Sequence, residues 1–229
     1  MKHINIRGVI VSDDDLWIYD WCGMTATSPG SVRTILNEAA GEDIEVIINS
    51  SGGDVMAGDE IFTLLRGYTG KVIIKIHSLA ASAAAVIAMA GESEMSPVAQ
   101  LMIHNVSSHT QGDNRDMAHM ATVLENANRA IAAAFVAKTG KSEAEILDLM
   151  AKETWFTAEQ AVKEGFVDRV MFADNQAPAQ PLRLAAAYGG DLLPQNVIEY
   201  AKKHFNSNKA LAVANANYQF LLLEGKINE

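Results

Sequence analysis

Val72-Ile73-Ile74-Lys75-Ile76-His77-Ser78-Leu79-Ala80-Ala81-Ser82-Ala83-Ala84-Ala85 passes without a break from β-branched residues to a run of small ones with a serine in the middle. The first part reads as a strand, and the second as a side-chain-poor turn into a closely packed helix. Such a turn can hold a hydroxyl out at a helix N-terminus, where unpaired backbone N–H groups favour negative charge. That suits a nucleophile whose reaction passes through an oxyanion. Taken alone, Ser82 reads better as a small residue that lets an alanine-rich helix pack. Only partners elsewhere in the chain can reverse that reading.

On the N-terminal side, residues 4–11 and 16–19 are short β-branched or aromatic runs around the acidic turn Asp13-Asp14-Asp15, which predicts a hairpin or two short strands. Ser28-Pro29 is an N-cap followed by proline, with Val32, Ile35, Leu36 and Ala39 at helical spacing and Gly41 as the stop. A strand over Ile44-Glu45-Val46-Ile47-Ile48-Asn49 runs into Ser50-Ser51-Gly52-Gly53, and Ile61, Leu64 and Leu65 mark the next helix. On the C-terminal side, Gln100–His104 reads as a strand, a polar stretch from Ser107 to Asn114 as a loop, and residues 115–138 as a long helix. Ser142 caps a helix to about Ala151, Thr157-Ala158-Glu159-Gln160 has capping-box spacing, and Val167–Phe172 reads as a last strand. This alternation predicts an α/β domain with largely parallel pairing.

The 229 residues are enough for a substantial core, and 49% hydrophobic with 20% charged residues is the composition of a globular chain. A net charge of −10 argues against nucleic-acid or anionic-membrane binding. Cys22 is the only cysteine, which excludes an intramolecular disulfide and a multi-cysteine metal site, and no HExxH-like spacing suggests a metal. The start has no apolar signal region, and the longest small-apolar run, Leu79 to Gly91, is too short to span a bilayer; the expected setting is cytoplasmic. Composition shifts in the Ala/Pro/Gln-rich stretch after residue 172. We therefore expect one domain over 1–172, a linker over 173–190 and an extension over 191–229.

Acyl transfer by a serine needs a base, a group to orient that base, and donors for the oxyanion. Among six histidines, His104 stands at the C-terminal end of an apolar strand, where α/β sheets present their sites, and His109 in the following loop is the second choice. Gly52-Gly53 directly after a strand lets backbone approach closely and exposes N–H groups. The phosphate-loop ending, the G-x-S-x-G elbow and the S-x-x-K signature are all absent.

Four segments in order, Ile48-Asn49-Ser50-Ser51-Gly52-Gly53, Ala80-Ala81-Ser82, Met102-Ile103-His104-Asn105 and Trp155–Val162 with Gly165-Phe166-Val167-Asp168, resemble the proteolytic subunit of the Clp protease. Ser82 follows Gly53 by 29 residues, His104 follows Ser82 by 22, and residue 153 follows His104 by 49. The resemblance covers about residues 4–172. It implies a crotonase-like α/β spiral of repeated β-β-α units with a protruding handle helix, and a serine endopeptidase working by an acyl-enzyme without a cofactor. Ser82 matches the nucleophile and His104 the base, while the Gly53 and Ala83 N–H groups match the oxyanion hole. Gly52 and Asn105 would lie along the substrate strand. Glu153 stands where the family usually carries an aspartate, and its extra methylene must fold back to reach His104. Ser51 replaces the usual proline.

The resemblance also implies a polypeptide substrate and a homo-oligomeric ring or stacked rings, with residues 115–138 as the handle. The chain starts close to its first strand, so the segment that contacts an ATP-driven AAA+ unfoldase is expected to be missing. In outline the chain looks closest to phage and prophage members, for which capsid or scaffold processing is the natural expectation. Two alternatives stand beside the peptidase: a catalytically silent assembly protein of the same fold, and a crotonase-type acyl-CoA enzyme needing no serine–histidine pair.

Overall fold

The computed structural model describes residues 1–172, together with Val197 and Tyr200. The expected linker and extension lie outside the described residues except for those two positions.

In chain order the elements are β1 (Lys2–Ile10), α1 (Leu16–Trp21), β2 (Ala26–Thr27), α2 (Pro29–Ala39), β3 (Ile44–Gly53), α3 (Val55–Arg66), β4 (Val72–Ala81) and α4 (Ala83–Ala88). They continue with β5 (Glu92–Met95), β6 (Gln100–Ile103), α5 (Asn114–Thr139), α6 (Glu143–Ala151), β7 (Thr154–Thr157), α7 (Ala158–Lys163) and β8 (Arg169–Val170). The strands form one sheet in the order β2-β1-β3-β4-β5-β8, every pair parallel. The chain is thus an α/β protein, as its alternating pattern predicts.

β4 divides the sheet. Its first half, Ile73–Ile76, pairs with β5, and its second half, Leu79–Ala81, pairs in parallel with β6. β6 in turn carries β7, the one antiparallel partner among the described strands. Ile44, Val46, Ile48, Ile74 and Ile76 are fully buried on one face of the sheet, while Glu45, Ile47, Ile73 and Lys75 alternate with them and are half-buried on the other. α4 lies in the middle of the core with every residue buried. Six small or β-branched side chains let it approach the sheet that closely.

Helix starts obey the sequence signals. Ser28 and Ser31 form a capping box with Pro29 in the first turn, and Thr157 and Gln160 form the expected box ahead of α7. Asp113 with Asp116 starts α5, and Ser142 with Glu145 starts α6. Ala40 and Gly140 end α2 and α5 in the left-handed conformation.

Two expectations are corrected. Residues 16–19 are not a strand but part of α1. The acidic turn winds instead of reversing, with Asp15 N and Leu16 N both donating to Ser12 O. Asp13 is drawn away to α2, where its Oδ1 accepts from Gly30 N at 2.7 Å. Ile18 and Tyr19 then close a small second cluster with Val9 and Val11. The strand expected over 167–172 shrinks to Arg169–Val170, because Val167 turns into the core beside Phe166, and Phe172 adopts φ 63°. The strands of the centre are longer than expected, since β3 and β4 continue into the glycine and alanine runs.

The buried side chains of α5 lie in its C-terminal half, where Ile131, Ala132, Ala134 and Phe135 pack into the core. There Lys138 Nζ bonds Asp168 Oδ2 at 2.5 Å and Gly91 O at 3.0 Å, and the same carboxylate oxygen accepts from Ser93 N at 2.6 Å. Burial works to raise the Asp168 pKa, but Lys138 and Ser93 together hold it below the ordinary carboxylate value. A lowered folded pKa means stability that is present above the unfolded value, about 4, and lost as pH falls through the folded one. Asp168→Asn is therefore expected to lower the melting temperature at pH 7 by ~2–4 °C. Between about pH 5 and pH 3 the variant should lose less stability than the wild type, and equal acid sensitivity would rule out this pair as the source.

Candidate active site

Ser82 sits at the junction of β4 and α4 with φ 56° and ψ −125°, a positive-φ conformation that L residues avoid. It is held there by its own backbone. Ser82 N donates to Met102 O at 3.0 Å, tying the turn to β6, and Ser82 O accepts from Ala85 N at 2.9 Å to start the helix. The Ala83 N–H belongs to the first turn of α4, where backbone donors have no helical acceptor.

Gly52 presses on this turn. A Cβ at Gly52 would lie 2.7 Å from Ala81 O, 2.7 Å from Ser82 Cβ and 3.0 Å from Ala83 N, so the β3 backbone abuts the Ser82 turn directly. Gly53 has a different neighbour, for a Cβ there would fall 2.2 Å from Ile10 O on β1. Both have positive φ, 96° and 148°. From beneath, Gly58 of α3 admits Ala83, whose Cβ would be 2.8 Å from a side chain at 58.

His104 follows the last residue of β6, and its Nε2 is 2.8 Å from Ser82 Oγ. This is the separation at which an imidazole takes a hydroxyl proton. His109, the second choice for base, is exposed in the segment beyond. His3, His77 and His119 are exposed as well. Asn105 is exposed directly after His104.

Glu153 is where the site departs from expectation. It follows α6 with φ 49°, and its Oε1 accepts from the Trp155 indole Nε1 at 3.2 Å; among the described residues no hydrogen bond joins it to His104. The antiparallel ladder ends one step short of it. Met102 pairs with Trp155 and Ile103 with Thr154, so the next positions along are His104 and Glu153.

Two residues that hold the site were not singled out from the sequence, although Ser50 lies inside the quoted Ile48–Gly53 segment. Ser50 is 3% exposed, donates its Oγ to Gly8 O at 2.6 Å and accepts from Gly52 N at 3.1 Å. It fixes the approach of Gly52 from inside the strand. Asn128 of α5 accepts from Val106 N at 2.7 Å, which holds the chain just beyond His104. Ser50 reaches Gly8, 42 residues away, and Asn128 reaches Val106, 22 residues away, contacts that spacing along the chain does not reveal. At Cys22, burial raises the thiol pKa and disfavours the thiolate. No cluster of metal-ligating side chains occurs among the described residues.

A serine on a strained strand-to-helix turn, a histidine in contact with it and backbone N–H groups alongside are the parts of a serine hydrolase. Comparison with known proteins makes the class specific. Residues 31–174 match the Clp protease family, and the chain belongs to it: the protein is a serine-type peptidase. It is 34% identical over 143 residues to the ATP-dependent Clp protease proteolytic subunit 2 of Rhodococcus jostii, spanning 61% of this chain and 73% of that one. Against proteolytic subunit 1 of Streptomyces avermitilis it is 36% identical over 132 residues, 56% of this chain and 61% of the relative. Against proteolytic subunit 2 of Nocardia farcinica identity is 32% over 138 residues, 59% and 68% respectively.

Because the contact at Gly52 is backbone against backbone, nothing flexible can give way. Gly52→Ala is expected to keep the circular dichroism of the wild type while lowering peptidase kcat/KM by at least ~10²-fold through displacement of Ser82. Wild-type turnover in this variant would show that the turn is not set by Gly52.

Proposed function

We propose that the protein is an endopeptidase in which Ser82 is the nucleophile and His104 the general base. The 2.8 Å contact between Ser82 Oγ and His104 Nε2 carries this reading. An extended peptide would lie along Gly52 and Asn105, pairing through its backbone as an added strand. His104 Nε2 takes the hydroxyl proton as Ser82 Oγ bonds to the scissile carbonyl carbon. The Gly53 and Ala83 N–H groups receive the oxyanion, each donor contributing about 3 kcal/mol of barrier lowering. Collapse breaks the C–N bond, and His104 returns the proton to the leaving amine. Water, deprotonated by His104, then releases the acyl group from Ser82. Glu153 supplies the negative charge that orients His104 and stabilises its imidazolium.

We place the reaction inside a homo-oligomeric assembly in the cytoplasm, on the crotonase-like spiral expected from the family. Support comes from α5, whose N-terminal portion leaves Met117 and Val123 each 43% exposed and so offers a handle for a second copy. No described helix is long and apolar enough to cross a membrane. Capsid or scaffold processing, the substrate class suggested by the likeness to phage members, draws no support from the relatives, which are named as Clp protease subunits. The acyl-CoA alternative makes no use of the serine–histidine contact.

A fluorophosphonate probe is expected to label Ser82 of the assembled protein, and Ser82→Ala and His104→Ala should each lower peptide hydrolysis by ~10⁴–10⁶-fold. Glu153→Gln should cost roughly 10²–10⁴-fold. An unlabelled Ser82, with Ser82→Ala as active as the wild type, would overturn the assignment. A wild-type protein without hydrolytic activity in its assembled state would favour the silent assembly protein.

A further inference from the structure

We propose that Trp155 is a positioning residue for the catalytic acid: its indole N–H holds the Glu153 carboxylate on the face of His104. The inference rests on Ser82 and His104 acting as proposed above.

Three observations carry it. Trp155 Nε1 donates to Glu153 Oε1 at 3.2 Å, so the two side chains lie on one face of β7 and its N-terminal continuation. That face is the site's own. Trp155 packs against Leu79, Ala81 and Met102, apart from the main core, and these residues flank Ser82 on β4 and His104 on β6. The β6–β7 ladder ends at Ile103 and Thr154, and His104 and Glu153 are the next residue of each strand beyond it.

The third is backbone cost. Glu153 has φ 49°, a conformation that costs a non-glycine residue and is at home in glycine or asparagine. A glutamate placed there, with its carboxylate on a neighbouring donor, is held for its side chain. Glutamate has one more rotatable bond than aspartate, and freezing it costs entropy. An indole is a donor only, so it binds the ionised carboxylate and cannot compete with it as a base. With Oε1 on the indole, Oε2 is the oxygen left to receive His104 Nδ1–H, a bond not made among the described residues and assigned by this proposal to the working site. The charge-assisted bond keeps the glutamate aligned across turnovers.

The test uses the full-length assembled protein and a fluorogenic peptide. Trp155 is replaced by β-(3-benzothienyl)alanine, which keeps the shape and loses the N–H, and in parallel by Phe. Both variants are expected to lower kcat about tenfold with KM within twofold of the wild type. In a Glu153→Gln background the same replacements should change kcat by less than twofold, because the carboxylate they hold is gone. Undiminished kcat in the benzothienyl variant overturns the proposal, and so does an equal loss in the Gln background. A rise in kcat also overturns it, since the indole would then hold the carboxylate away from His104. Ser82→Ala separates the two levels. If it retains hydrolysis, the underlying assignment fails; if it is inactive while the benzothienyl variant matches the wild type, only the role of Trp155 fails.

Discussion

The site depends on one close approach of backbone to backbone, Gly52 of β3 against the Ala81-Ser82-Ala83 turn after β4. A parallel pair does not ordinarily bring a strand end onto the turn of its neighbour. Here both ladders slip before they reach it. β1 and β3 change register between Arg7 and Val9, and β3 and β4 between Ile48 and Ser50. Such irregularities bend strands and re-aim the residues beyond them. Ser50 occupies the slip and bonds to Gly8 O on one side and Gly52 N on the other, so the distortion is satisfied instead of leaving buried polar groups unpaired. The strain at Ser82, of order 1–3 kcal/mol for a residue in a rare region, is then imposed by surroundings that have little freedom to relax.

β4 makes this constraint serve two ends. Its first half belongs to the parallel sheet, where Ile74 and Ile76 are buried, while its second half leaves β5 for β6 and carries the chain to Ser82. The departure separates two faces on the short β6–β7 ribbon. Leu101, Ile103 and Phe156 join the main core, whereas Met102 and Trp155 form a small cluster beneath the reacting groups. His104 continues the second face past the end of the strand. His104 is therefore delivered to Ser82 by strand alternation, and the bond from Ser82 N to Met102 O ties the two strands together at that point.

Much of this is written locally. Ser28-Pro29, Thr157 through Gln160 and the apolar strands are signals complete within a few residues, and the structure forms the elements they predict. The run 16–19 misleads because four apolar residues fit a strand or a helical turn equally well, and the choice is made by Asp13, which is taken up by the N-terminus of α2. The lengths of β3 and β4 were hidden for the opposite reason. Glycine and alanine have no strand preference of their own, and only the neighbouring ladder keeps them extended. In the site, Ser82, His104 and the glycine pair stand out because each sits at a strand end in a recognisable order. The Ser50–Gly8, Asn128–Val106 and Trp155–Glu153 contacts do not, since each joins residues through register or side-chain direction, which spacing along the chain does not encode.

That difference also separates the members of the site by how they are held. Ser82 is fixed by its own N–H and C=O, Gly52 by having no side chain, and His104 by its place one residue beyond a paired strand end, with Val106 pinned by Asn128. Errors in these positions are limited by backbone ladders, which are cooperative and stiff. Glu153 alone projects a long side chain from an exposed turn residue, and nothing in its backbone sets where the carboxylate goes. A neighbouring side-chain donor is the remaining way to give it a fixed direction, and Trp155 is well suited to supply one. Its ring is wedged among Leu79, Ala81 and Met102, so its N–H inherits the rigidity of the strands that carry Ser82 and His104. Glu153 is thereby tied to the same two strands as Ser82 and His104, through an indole instead of a peptide bond.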